Sequence, residues 1–186
     1  MKLKICLLAL CLLAGCAGPY TRIEKPQFSG ADQAYTVDLP VGWVQGSFPQ
    51  QQDTVSISRD GFGLQSINIY CAHYDKAYPK LKKVASAKML PSDLAEVQFA
   101  ELKVNHPNAN SMQMVESSVA TIAGVQGYRL HVRYLNDKGL RFDQVIYGLA
   151  GSQYYYALSY VAPTLHYFPR DKQIFEQMVQ SFHIKT

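Results

Sequence analysis

From Tyr128 to Tyr134 the chain alternates without a break. Tyr128, Leu130, Val132 and Tyr134 are interleaved with Arg129, His131 and Arg133. Successive side chains on a strand point to opposite faces, so this period of two predicts a strand with one apolar and one polar face. Such a strand has to lie in a sheet that buries its apolar side. The surrounding residues 114–161 read as a meander of about four strands. Gly124 and Gly127 mark the first turn, Asn136-Asp137-Lys138-Gly139 the second and Gly151-Ser152 the third.

Upstream, Tyr35-Thr36-Val37-Asp38-Leu39 alternates and stops at Pro40. Val55–Ser58 and Ser66–Ile69 predict two more strands, joined through Gly61 and Gly63. Residues 92–104 predict a helix, capped by Ser92 or Asp93, with Leu94, Val97, Phe99, Ala100 and Leu102 on a broad apolar face. A second helix opens at Pro169 and sets Ile174, Phe175, Met178, Val179 and Phe182 on one stripe. Strands interrupted by one helix and closed by another predict the α+β class with an antiparallel sheet.

The first residues carry a different signal. Lys2 and Lys4 precede nine apolar or cysteine residues, Ile5 to Leu13, and Gly18, Pro19 and Arg22 end the run. A membrane span needs about 20 such residues, a signal h-region only about 7 to 15. Leu13-Ala14-Gly15-Cys16 resembles the lipobox of bacterial lipoproteins. The resemblance implies removal of residues 1–15, a diacylglyceryl thioether on Cys16, and anchoring of the chain to a membrane by acyl chains on that residue. With Ala17 rather than aspartate behind the cysteine, it implies outer-membrane sorting, facing the periplasm. The alternative is an ordinary signal peptide cut near Ala17, with no role for Cys16. Residues 16–33 hold Gly18, Pro19, Pro26 and Gly30 without periodicity and read as the lipidated N-terminus and a flexible tether. Residues 34–186 read as one domain.

Loss of the leader removes Lys2 and Lys4 and no acidic residue, so the formal charge of +4 falls to +2. That charge excludes a nucleic-acid partner of the usual basic kind. Cys6 and Cys11 leave with the leader and Cys16 is acylated, so Cys71 is left without an intramolecular disulfide partner and the fold must rest on its core.

The order of elements, together with three short segments, resembles PsbP-like domains, a group that includes DcrB-type bacterial lipoproteins. The segments are Tyr35 to Trp43 with its Pro40 and Gly42-Trp43, Thr121 to Tyr128 with Gly124 and Gly127, and Phe175 to Phe182 running into Ser181-Phe182. The resemblance implies a three-layer α/β/α sandwich around an antiparallel sheet. It also implies accessory, assembly or partner-binding work at a membrane surface. No catalytic residue comes with it.

Several residue sets invite a chemical reading. Cys71, His73 and Asp75 alternate along an expected strand, and a thiolate, an imidazole and a carboxylate could hold Zn²⁺ or Cu with a fourth ligand from elsewhere. The other reading continues the apolar face of Ile67 and Ile69 through Cys71 and leaves His73 and Asp75 at the wet end. It is preferred because metal sites declare themselves by paired spacings. If Asn136–Gly139 is a four-residue hairpin loop, Leu135 pairs with Leu140, Arg133 with Phe142 and His131 with Gln144. Arg129, His131, Arg133 and Gln144 then share a polar sheet face, either open to an acidic partner or anionic ligand, or covered by a helix. Lys76, Lys80, Lys82, Lys83 and Lys88 suit either anionic headgroups or a plain solvated loop. Tyr154, Tyr155, Tyr156 and Tyr160 fit core packing better than a binding platform.

Hydrolase, zinc-protease, P-loop and dinucleotide signatures are all absent from the sequence. The expectation is therefore a membrane-anchored envelope lipoprotein, non-catalytic and without a cofactor, that binds an envelope protein partner. The alternative is a periplasmic carrier of a small ligand or metal.

Overall fold

The computed structural model describes residues 19–48, 53–104 and 106–185 of the chain. Strands β1 (Tyr20–Arg22), β2 (Gln27–Ser29), β3 (Tyr35–Asp38), β4 (Val44–Gly46), β5 (Thr54–Ser58) and β6 (Ser66–His73) precede helix α1 (Pro91–Lys103). Then come β7 (Gln113–Ile122), β8 (Val125–Leu135), β9 (Arg141–Ala150) and β10 (Tyr154–Pro163). Helix α2 (Tyr167–Gln180) and β11 (His183–Ile184) close the described chain. Eight strands form one sheet in the order β1-β4-β5-β6-β10-β9-β8-β7, and β11-β3-β2 form a smaller one. Every pairing is antiparallel.

The alternation from Tyr128 to Tyr134 separates two cores. On one face Tyr128, Leu130, Val132, Ile146 and Tyr155 meet Leu94 and Ala95 of α1 and Tyr78 from the preceding loop. On the other, Ile57, Ile67, Ile69, Val145, Leu158 and Tyr160 meet Phe175 and Met178 of α2 and Tyr35 and Val37 of β3. The result is the α+β arrangement expected, with a third layer made of α2 and the small sheet together. Both cores are built from residues between Ile23 and Phe182. Trp43 and the last-strand tyrosines Tyr155, Tyr156 and Tyr160 are buried core residues. Gly148 sits under the ring of Tyr128, where a Cβ would come within 2.4 Å of the ring, so only glycine admits this close crossing.

Two expectations change. Residues 16–18 lie outside the described residues, but from Tyr20 onward the expected tether is structured. β1 pairs with β4, β2 pairs with β3, and Ile23 enters the core. Three-residue strands are too short to show a period, and composition alone reads as a linker there. Helix α1 begins earlier than expected: Leu90 is its cap, Pro91 takes the first turn, and the Asp93 carboxylate accepts from the Leu90 N–H at 3.4 Å.

Two ends of the large sheet matter below. At the His73 end β6 pairs its last residue with Tyr154. At the opposite, Ser66 end the β5–β6 loop, the β8–β9 loop and the β10–α2 connection come together.

Candidate functional site

The register of β8 against β9 decides the polar face. The second turn is five residues long: the Asn136 N–H donates to the Leu140 carbonyl at 2.9 Å, and the Asn136 Oδ1 accepts from Lys138 and Leu140 N–H groups. Gly139 takes φ +74, which favours glycine. Leu135 therefore pairs with Arg141, Arg133 with Asp143, His131 with Val145 and Arg129 with Tyr147. This is one residue away from the four-residue expectation, and a slip of one flips every side chain to the other face. Gln144 pairs with Val132 and so lies on the α1 side, away from Arg129, His131 and Arg133. There it lines a groove of about 360 Å³ with Thr54, Asn68, Gln98 and Ser159.

Asp143 takes the place expected of Gln144. The buried Asp143 Oδ1 accepts from Arg133 Nε at 3.0 Å and lies 2.7 Å from His131 Nε2. Phe168 of α2 stacks on His131 with the rings 5.6 Å apart. Arg129 donates through Nε to the Tyr147 hydroxyl at 3.1 Å and through Nη1 to Glu116 at 2.8 Å. The Tyr147 hydroxyl in turn donates to Glu176 of α2 at 2.5 Å. Burial first, and then Glu176, push the Tyr147 phenol up to about 12. Of the two alternatives for this face, the helix-covered one describes Arg129 and His131, while Arg133 keeps 40% of its side chain exposed at the Ser66 end.

Burial pushes the Asp143 carboxyl up, but the Thr164 hydroxyl, Arg133 and His131 outweigh it and hold the group below its ordinary value. A depressed carboxylate stabilises the fold above its unfolded value, about pH 4, and that contribution fades as pH falls through the lower folded value. Asp143→Asn is expected to cost about 1–3 kcal/mol at neutral pH and to flatten the acid limb of the stability curve. Urea unfolding from pH 7 down to pH 3 measures both; an unchanged acid limb would remove Asp143 from the explanation.

Cys71, His73 and Asp75 are not brought together. Cys71 is buried beside Ile67 and Ile69, where burial, aided by Asp53, pushes its thiol up to about 12. β6 ends at His73, which lies against the Tyr154 ring at 4.4 Å. Asp75 has left the strand for a tight turn over Tyr74–Lys76. Alternation stops with the strand, so the three never share a face. Among the described residues no three His, Cys, Asp or Glu side chains converge as a metal site requires. Cys16 lies outside the described residues, and no described helix is long and apolar enough to cross a membrane.

A further site was not read from the sequence. At the Ser66 end Leu64, Leu135, Leu140 and Leu165 gather around an apolar cavity of about 440 Å³ that Pro163 and Tyr167 also line. Leu165 is 92% exposed. A second cavity of about 470 Å³ shares Leu135 and Arg141 with the first and adds Arg133, so the leucine rim is bordered by arginines. The signal was present: Leu135 and Leu140 bracket a polar turn, and Leu165 stands alone between a strand and a helix. Large apolar residues at loop tips are hard to explain by folding alone.

No family model and no curated protein sequence matches the chain. Solved structures do match it. The solution structure of cyanobacterial PsbP (CyanoP) from Synechocystis superposes with TM-score 0.60 at 14% identity, over 94% of this chain and 99% of that one. The Ran-binding protein Mog1p of Saccharomyces cerevisiae gives TM-score 0.57 at 12% identity, over 87% and 96%. LpqN, involved in cell envelope biogenesis of Mycobacterium tuberculosis, gives 0.52 at 15%, over 91% and 93%. In a Bacteroides thetaiotaomicron protein, matched with TM-score 0.52 at 11% identity over 88% of this chain, the match spans 50% of the other chain. The chain has a PsbP-like fold.

Proposed function

We propose that this chain is a lipid-anchored envelope protein that works without catalysis, docking a partner protein on the leucine rim at the Ser66 end. The observation that carries the proposal is the rim itself: four leucines from three separate loops surround one apolar cavity, with Leu165 almost wholly exposed. Water against such a patch is costly, and the desolvated pockets at the centre of an interface carry most of its binding energy. Arg133 and Arg141 at the border favour a partner that offers an apolar side chain flanked by carboxylates. In the anchoring half of the proposal, residues 1–15 are a leader and Cys16 carries the acyl chains. The domain then faces the periplasm from the outer membrane. The similar folds of Mog1p, a Ran-binding protein, and of LpqN, involved in cell envelope biogenesis, support a binding role at the level of fold analogy.

One experiment on protein kept in its native membranes tests both halves. A photocrosslinking amino acid at Leu140 is expected to capture a single protein in stoichiometric yield, and the same group at exposed Val119 on β7 to capture none. Leu165→Asp is expected to lower the Leu140 adduct at least about tenfold. Equal labelling from both positions would sink the docking site. Intact mass is expected to show a chain starting at Cys16 and heavier by its acyl chains, with Cys16→Ser uncleaved; an unmodified chain cut elsewhere would sink the anchor.

A further inference from the structure

The loop between β6 and α1 has a composition and a scaffold that the docking site does not use. Residues 74–90 hold Lys76, Lys80, Lys82, Lys83 and Lys88 against one acidic residue, Asp75. All five lysines are exposed, and among the described residues none of them is in an ion pair. Val84 and Leu90, both 62% exposed, stand between and beside them. Lysines mixed with exposed aliphatic side chains are what an interfacial surface offers to a bilayer: charge for headgroups, and apolar groups for the upper acyl region.

This loop is fixed in place. The Ala85 N–H donates to the Tyr74 carbonyl at 2.9 Å and the Lys83 N–H to the Tyr78 carbonyl at 3.2 Å, closing the segment on itself. Tyr78 is fully buried against Tyr155, with ring centroids 5.0 Å apart. Both Glu101 carboxylate oxygens accept backbone N–H groups, from Lys80 and Leu81, at 2.8 Å each. Lys82, the next residue, takes φ +53. The ammonium groups thus extend from an ordered frame, and less entropy is lost on docking than for a loose loop.

We propose that residues 74–90 form a docking surface for anionic lipid headgroups. Lipidation of Cys16 would raise the local concentration of headgroups but is not needed for the surface to bind. The proposal can therefore fail without touching the docking site, and the docking site can fail without touching it.

The test uses the unacylated chain from Ala17 to Thr186, which keeps every described element and both cores, in co-sedimentation with vesicles. Vesicles of phosphatidylcholine alone are expected to bring down little protein. Vesicles in which a third of the lipid is phosphatidylglycerol are expected to bring it down in a salt-sensitive way. Each lysine near an anionic surface contributes about a fivefold change in binding, so combined Lys76→Gln, Lys82→Gln and Lys83→Gln should weaken it by about a hundredfold. Those side chains are exposed, so the melting temperature should stay put. Combined Lys138→Gln and Lys172→Gln, in residues outside this loop that make no ion pair among the described residues, should leave binding unchanged. The proposal is overturned if the wild-type chain ignores anionic vesicles or binds neutral ones equally. It is overturned equally if the triple variant at Lys76, Lys82 and Lys83 binds like wild type, or if the variant at Lys138 and Lys172 loses as much.

Discussion

Tyr155→Ala is expected to lower the unfolding free energy by about 3–5 kcal/mol, the range for emptying a buried aromatic site. Tyr155 is fully buried, and its ring meets Tyr78 at 5.0 Å and Tyr70 at 6.3 Å. Its hydroxyl lies 2.5 Å from that of Tyr128 and donates to Gln98 of α1 at 2.8 Å. Tyr128, whose hydroxyl meets that of Tyr155, is already packed over Gly148 and has little room to swing into the gap. Tyr155→Phe keeps the volume and loses only the hydroxyl, so about 1–2 kcal/mol is expected there. The two variants separate packing from hydrogen bonding, and urea midpoints measure both. Amide exchange adds a local readout: with Tyr78 unsupported, protection should fall between Ala77 and Ala85 before it falls in β3. A loss below about 1 kcal/mol for the alanine variant would mean that α1 is not held by this tyrosine cluster.

That cluster also shows what was legible in the sequence. The apolar side of β8 was plain from alternation alone, because its two faces differ so strongly in chemistry. Both helices were visible from their apolar stripes, and their position around the meander led to the α+β class. The polar side was legible in composition but not in partners. Alternation puts Arg129, His131 and Arg133 on one face, yet their companions depend on a single turn residue. A loop of four would have set Gln144 beside them; the loop of five sets Asp143 there. Nothing in Asn136 to Leu140 distinguishes the two lengths without knowing that the Asn136 side chain caps two N–H groups. Short strands were the other blind spot. β1 and β2 have three residues each, below the length at which any period can be read, and their pairing is decided by partners elsewhere in the chain. The leucine rim was missed for a related reason. Its members are distant in sequence, and only strand order brings the three loops to one end.

Asp171→Ala is expected to cost about 2–4 kcal/mol and to weaken the rim as well as the fold. Asp171 sits on α2 with no exposed surface, yet it accepts from Arg59 Nη1 at 3.0 Å, from Gln65 Nε2 at 3.0 Å and from Arg170 Nε at 2.9 Å. Arg170 also pairs with Asp60. Removal of a buried charge's partner commonly costs about 3–5 kcal/mol, but here Arg59 and Arg170 reach water and lose less. Asp171→Asn keeps an acceptor for Gln65 and should lose about half as much. The network joins residues 59–65, which carry Leu64, to the start of α2, which follows Leu165. Asp171 is thus a positioning residue for two of the four rim leucines, although it touches neither in a hydrogen bond. A merely structural role would move the urea midpoint alone. The positioning role predicts that, at a temperature where Asp171→Ala is fully folded, the Leu140 photocrosslink to the partner falls severalfold, while anionic vesicles still bring the protein down as well as wild type. If crosslinking survives intact in the folded variant, the rim is held by its own loops and not by the carboxylate beneath them.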